Sequence, residues 1–175
     1  MENPGDKSSL SSKSQHMVEE FMRPDDKLLS RKLLSSHISR YAFAAQFVAG
    51  KVVLDVACGS GYGTGYLADK GAERVIGGDI SQSALKYANA YFKKENTDFI
   101  YLDASKELPF HDEYFDVLVS METIEHLLDA ENFLAECRRV LKSEGVFICS
   151  TMYKERNPPG KEKLATPANF EPCAV

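Results

Sequence analysis

Between residues 50 and 150, short apolar runs alternate with stretches whose apolar residues recur at helical spacing. Val52-Val53-Leu54-Asp55-Val56 reads as a buried strand, followed by a glycine-rich turn. The pattern predicts a helix over 62–70, stopped by Gly71, and a short second strand over 74–77. Ser81 caps a helix running to about residue 92, with Leu85, Ala88 and Phe92 inward. Residues 99–102 form a third strand, and 115–120 a fourth, apolar enough to be central. Asp129 caps a helix whose Phe133, Leu134, Cys137, Val140 and Leu141 make one apolar stripe. Gly145 ends that region, and 146–150 is a fifth strand. Strands alternating with helices imply right-handed crossovers and a mainly parallel sheet covered on both faces, a three-layer α/β sandwich.

The flanks read differently. Residues 1–15, rich in Ser and Lys, are expected to be a disordered leader. Residues 16–50 are expected to form a helical cover. It comprises a short helix over 17–22, ended by Pro24, and a longer one capped by Asp25 and running to about Val48, with Leu29, Leu33, Tyr41, Ala45 and Val48 on one face. Residues 51–151 are the core. Residues 152–175, with Pro158, Pro159, Pro167 and Pro172, read as an irregular tail.

Composition narrows the classes. The 175 residues suit one domain with a sizeable core, 43% hydrophobic and 27% charged. A net charge of -5 argues against nonspecific nucleic-acid binding. No apolar run has the length of a membrane span. Cys58, Cys137, Cys149 and Cys173 are scattered without paired metal-ligand spacing, as expected for reduced thiols in a cytoplasmic protein.

In a parallel sheet, ligands bind at the carboxyl ends of the strands. Asp55, Asp79, Asp103 and Glu122 all fall at or just beyond such ends. The turn Ala57-Cys58-Gly59-Ser60-Gly61-Tyr62-Gly63 is suited to hold a nucleoside cofactor, because Gly59 and Gly61 let the backbone approach a ligand. A P-loop would need Lys-Ser or Lys-Thr after its last glycine, but Gly63 is followed by Thr64-Gly65-Tyr66. The dinucleotide pattern Gly-x-Gly-x-x-Gly also fails: counted from Gly59 its last position is Thr64, and from Gly61 it is Tyr66. Asp79 can accept hydrogen bonds from both hydroxyls of a ribose, or serve simply as a turn residue. Ile80 can lie on an adenine face or in the core. Asp103 can accept from the exocyclic amine of adenine while the backbone of Ala104 meets a ring nitrogen.

The pattern Asp55-x-Ala57-Cys58-Gly59-x-Gly61 resembles motif I of class I S-adenosylmethionine-dependent methyltransferases. The resemblance extends from about His37 to Thr151 through Arg40-Tyr41, Asp79-Ile80-Ser81, Leu108-Pro109-Phe110 and the segment from Phe115 to His126. It implies a Rossmann-like sheet of seven strands, a helical N-terminal cover and direct methyl transfer from S-adenosyl-L-methionine, leaving S-adenosyl-L-homocysteine. It also implies cofactor contacts from Tyr41, Ala57 and Ser60, and backbone contacts near Ser120, Met121 and Glu122. The family's closing antiparallel hairpin has no counterpart after Thr151.

The expected function is methyl transfer to an O, N or C atom of a small-molecule acceptor. His126 is the candidate base for an oxygen or nitrogen nucleophile, or else a histidine packing at a helix entry. No metal is assigned. One alternative is a metal-assisted O-methyltransferase of a quinone ring or an RNA 2′-OH, using Glu122, Glu125 and His126 as ligands. Another is a cofactor-binding module with little turnover. Without a hairpin beside it, the fifth strand would be an apolar edge and a candidate surface for homo-oligomers.

Overall fold

The computed structural model describes residues 31–151, with side chains from residue 35. The expected leader, the 17–22 helix, the Asp25 cap, the side chains of Leu29 and Leu33, Cys173 and the tail lie outside the described residues. The described elements are α1 (Arg31–Ala44), β1 (Val52–Val56), α2 (Tyr62–Asp69), β2 (Arg74–Asp79), α3 (Gln82–Tyr91), β3 (Thr97–Tyr101), β4 (Phe115–Met121), α4 (Ala130–Val140) and β5 (Leu141–Ser150). One-turn 3₁₀ helices follow α1 (Ala45–Phe47) and β4 (Ile124–His126).

The sheet of the described residues has five strands, all parallel, in the order β3-β2-β1-β4-β5. Strand alternation sorts its two faces. Val75, Val53, Val117 and Val146 stand in register across one face, under α1 and α2. Ile76, Leu54, Leu118 and Phe147 stand in register across the other, where Phe133, Cys137 and Val140 of α4 pack. Both faces are dry, so the central strands need apolar residues in both parities. Burying Phe115 and Phe133 completely, with four strands around them, makes this second cluster the heavier anchor.

The caps follow the sequence. Ser81 Oγ accepts from Ala84 N at 3.2 Å, and Asp129 Oδ1 accepts from Asn132 N at 2.9 Å. Gly71 ends α2 at φ 89, in the left-handed region. From α4, Arg139 donates to the carbonyls of Leu108 and Phe110, and Glu136 accepts from Leu108 N. This fastens the Leu108-Pro109-Phe110 turn to the helix.

Several boundaries and inward-facing positions differ from the pattern. Helix α1 ends at Ala44, not Val48; the 3₁₀ turn then swings Val48 inward. Ala44 rather than Ala45 is completely buried. Strand β3 starts at Thr97, because backbone pairing with Val75 recruits two polar residues at the sheet edge. Strand β5 starts at Leu141, which pairs with Phe115; a bulge then skips to Val146 opposite Val117, and Lys142 in it reaches Asp116 at 2.8 Å. Leu134 is 42% exposed, outside the buried stripe of α4.

Candidate functional site

A cavity of about 290 Å³ opens at the carboxyl ends of β1, β2 and β4. Ala57, Cys58, Gly59 and Ser60 line it from the loop after β1, and Tyr62 from the start of α2. Asp79 borders it from β2, Met121 and Glu122 from the end of β4, and His37 and Tyr41 from α1. The last strand residue and the turn after it supply most of the wall. A second hollow, about 590 Å³, lies at Leu85, Lys86 and Tyr101 on the β3 side and touches none of the candidate residues.

The loop after β1 is built by backbone geometry. Ala57 and Gly59 are left-handed at φ 57 and φ 55, and Cys58 N donates to the carbonyl of Gly78 at 3.0 Å. Gly61 N donates back to Cys58 O at 3.0 Å, and Gly61, at the N-cap of α2, offers no side-chain cap. The first N–H groups of α2 therefore face the loop rather than a capping side chain.

Asp79 is held in place from two sides. Its Oδ2 accepts from Gly59 N and its Oδ1 from Ser81 N, each at 2.8 Å. Each carboxylate oxygen keeps a second lone pair that faces solvent or ligand. A backbone that fixes a carboxylate this way presents it as a ready acceptor for a diol.

Asp55 occupies a different place. It has the strand parity of Val53, so its side chain points into the helical layer below the cavity. It is completely buried, and accepts from Thr64 Oγ1 at 2.6 Å and from Tyr41 Oη at 3.1 Å. Burial pushes its pKa up to about 7, against the pull of these two hydrogen bonds. Gly77 faces it in register; a Cβ there would lie 2.6 Å from Thr64 Oγ1. Asp55 thus ties α1 and α2 together under the loop.

The other predicted residues divide. Tyr41, Ala57, Gly59, Ser60, Asp79, Met121 and Glu122 converge on the cavity. Gly61 is buried directly behind it. Ser120 is completely buried, with its Oγ unpaired among the described residues. Ile80 is 58% exposed, because strand pairing ends at Asp79. Asp103 sits in its own turn, accepting from Ser105 and pairing with Lys106 at 3.1 Å, and neither it nor Ala104 lines the cavity. His126 is exposed on the 3₁₀ turn after β4, away from the cavity wall. Among the described residues, no three His, Cys, Asp or Glu side chains gather as metal ligands, so Glu122, Glu125 and His126 do not form the cluster their spacing suggested.

Cys58 and Tyr62, which belong to the glycine turn, also border the cavity, and so does His37, which was not among the selected site residues. The signal for His37 was its position one turn before Tyr41 on the same helix face. Burial lowers its pKa, and the nearby Arg40 charge lowers it further.

Gly63, buried behind this wall, is the tightest point of contact between α1 and α2. A Cβ there would lie 2.0 Å from Cζ of Tyr41. Tyr41 cannot yield without breaking its bond to Asp55. Gly63→Ala should lower stability by about 1–3 kcal/mol through overpacking. Thermal melts check this: a variant as stable as the parent would mean that α1 lifts freely from α2.

The comparisons agree with this architecture. The model of the methyltransferase domain matches residues 54–149, and the chain belongs to that family of class I, Rossmann-like methyltransferases. A Mycolicibacterium smegmatis protein, named a probable S-adenosylmethionine-dependent methyltransferase, is 38% identical over 129 residues, covering 74% of this chain and 48% of its own. A ubiquinone biosynthesis O-methyltransferase of Cereibacter sphaeroides is 36% identical over 110 residues, covering 62% and 43%. The chain therefore spans about half the length of these curated relatives. A chain from the complex of the Haloferax volcanii activator Trm112 with a methyltransferase superposes with a TM-score of 0.61 and 32% identity, over 69% of this chain and 55% of its own. No helix of the described residues is long and apolar enough to cross a membrane.

Proposed function

We propose that this chain binds S-adenosyl-L-methionine and transfers its methyl group to a small-molecule acceptor. One observation carries the reading: Asp79, fixed by the N–H groups of Gly59 and Ser81, faces a cavity at the carboxyl ends of β1, β2 and β4. The residues fit the cofactor. Asp79 is a diol acceptor, the glycine turn admits a close ligand, and Glu122 at the opposite end offers a carboxylate to a cationic group. The cofactor supplies a methyl group already made electrophilic by its sulfonium.

The chain then has to hold and align. Fixing both reactants in line can supply roughly 7–11 kcal/mol of rate acceleration. Met121 and the Tyr41–Tyr62 pair, whose rings meet edge to face at 5.6 Å, provide apolar wall that keeps water out. For a hydroxyl or amine acceptor, His37 is better sited than His126 to take a proton: it lines the cavity, and its lowered pKa keeps it neutral at pH 7. The relatives named for ubiquinone biosynthesis favour a phenolic hydroxyl as the first acceptor class to assay.

Calorimetric titration of the chain with S-adenosyl-L-homocysteine, S-adenosyl-L-methionine and NAD tests the reading. Saturable binding of both sulfur nucleosides and none of NAD is the expected result. Binding of NAD alone would overturn it.

A further inference from the structure

The larger hollow, about 590 Å³, lies where the sheet ends. Among the described residues β3 has a single neighbour, β2, so its other edge is open. The main-chain bonds show which groups face out. Val75 N donates to Asn96 O, and Leu102 N donates to Asp79 O. In a parallel ladder both main-chain groups of one residue turn to the same side, and successive residues alternate. The even-numbered residues of β3 therefore bond to β2, and the main chains of Thr97, Phe99 and Tyr101 point outward. Thr97 is already closed off: its N–H donates to Lys94 O at 3.2 Å, and its carbonyl accepts from Lys93 Nζ. Phe99 and Tyr101 remain to present N–H and C=O groups to an added strand.

The side chains along this edge give it a chemical character. Tyr101 is 54% exposed and borders the hollow with Leu85, Lys86 and Ala90 of α3. Leu85, Ala90 and the tyrosine ring supply apolar lining, and Lys86 sets a charge beside it. Lys86 belongs to none of the ion pairs among the described residues. The nearby carboxylates are taken, Asp98 by Lys93 at 2.7 Å and Asp103 by Lys106 at 3.1 Å. Lys106 also lies within reach of Tyr101: its pKa is raised, first by Asp103 and then by the tyrosine hydroxyl. Lysines thus flank the open edge of a chain whose net charge is -5. A lysine on an edge strand ordinarily discourages strand addition. Here Lys93 shuts only the start of the edge, at Thr97.

We propose that the open edge of β3 docks an extended segment of a partner protein, acidic and apolar at alternate positions. The segment's main chain bonds to Phe99 and Tyr101. One apolar side chain fills the hollow at Leu85 and Ala90, and a carboxylate two positions along meets Lys86. Every second side chain of an extended segment faces the same way, so both requirements fall on one face of it. Main-chain bonds give such docking its affinity, and side-chain pockets give it specificity. Charge opposes a second copy of this chain as the occupant. Two β3 edges laid together would bring Lys86, Lys93 and Lys106 of each copy against like charges. The hollow shares no residue with the cavity at Asp79, so the inference is independent of the cofactor reading.

Three synthetic peptides test the edge. The first is Thr-Leu-Thr-Asp-Thr-Leu-Thr, the second carries lysine in place of its aspartate, and the third is the first with its backbone nitrogens methylated. The parent chain should bind the first saturably in a calorimetric titration, and the second at least about tenfold more weakly. The third should not bind, because it has lost the N–H groups that pair with the edge. Amide hydrogen exchange at Phe99 and Tyr101 should slow when the first peptide is present. Lys86→Glu, a change on the surface whose fold near-UV circular dichroism checks, should reverse the preference between the aspartate and lysine peptides. No saturable binding of the first peptide overturns the proposal. So does equal binding of the two charged forms, undiminished binding of the methylated form, or protection confined to other amides. Dimerisation of the parent that slows exchange at Phe99 and Tyr101 would assign the edge to a second copy and overturn the acidic partner. If Lys86→Glu does not fold, the three peptides on the parent decide alone.

Discussion

Asp79→Ala should weaken binding of S-adenosyl-L-homocysteine by about a hundredfold. A carboxylate that accepts from two ribose hydroxyls makes two charge-assisted hydrogen bonds, each worth about 1.5–3 kcal/mol. Their loss would dominate the nucleoside's affinity, since every 1.4 kcal/mol is about tenfold. Part of the effect would be indirect. Asp79 also holds Gly59 N and Ser81 N, so its removal frees the glycine turn as well. The two contributions separate with a 2′-deoxy analogue of the nucleoside. The parent should discriminate against the analogue, and Asp79→Ala should bind both forms equally. Near-UV circular dichroism would establish that the variant is folded. Undiminished affinity in a folded variant would reduce Asp79 to a turn residue.

The sequence carried this part of the site because it depends on chain order. Asp79 follows a strand that must be parallel to β1, and residues at the carboxyl ends of parallel strands meet. The glycine turn was legible for the same reason, since left-handed positions such as Gly59 constrain residue type. What side chains do at a strand's end was less legible. Asp55 and Asp79 look equivalent in the pattern, yet one is below the cavity and the other beside it. Both faces of β1 are covered, so its sequence does not alternate apolar and polar, and nothing marks the face that Asp55 takes. The bulge in β5 was hidden because Gly145 looks like a break, while the pairing of Leu141 with Phe115 is a backbone event. His37 was passed over because its role depends on where α1 lies against α2, which Gly63 and Tyr41 decide across 21 intervening positions that no local pattern spans.

Asp55→Asn should stabilise the chain at neutral pH and abolish a pH dependence that the parent shows. The carboxyl ordinarily titrates at 3.8; in the folded chain burial moves it to about 7. Between those values the folded state keeps a proton that the unfolded state has released. Stability from this group is therefore fully present below about pH 4, falls as pH rises, and levels off above about pH 7. A rise of about three units corresponds to about 4 kcal/mol, at 1.36 kcal/mol per unit. Other carboxylates act elsewhere. Asp98 is held below its ordinary range by Lys93 and Arg74, and Glu136 by Arg139. Their contributions fade at lower pH, and they are shared by both proteins. Asparagine has no proton to lose, and its carbonyl can still accept from Thr64 or Tyr41. Urea denaturation of the two chains in steps from about pH 4.5 to 7.5 isolates the group as a difference that widens in favour of the variant. Parallel curves would mean that Asp55 is already ionised throughout that range, with its charge stabilised by Thr64 and Tyr41 beyond what burial opposes. A widening gap would show instead that the chain carries a costly carboxyl under its cavity, where that group accepts from Tyr41 of the wall.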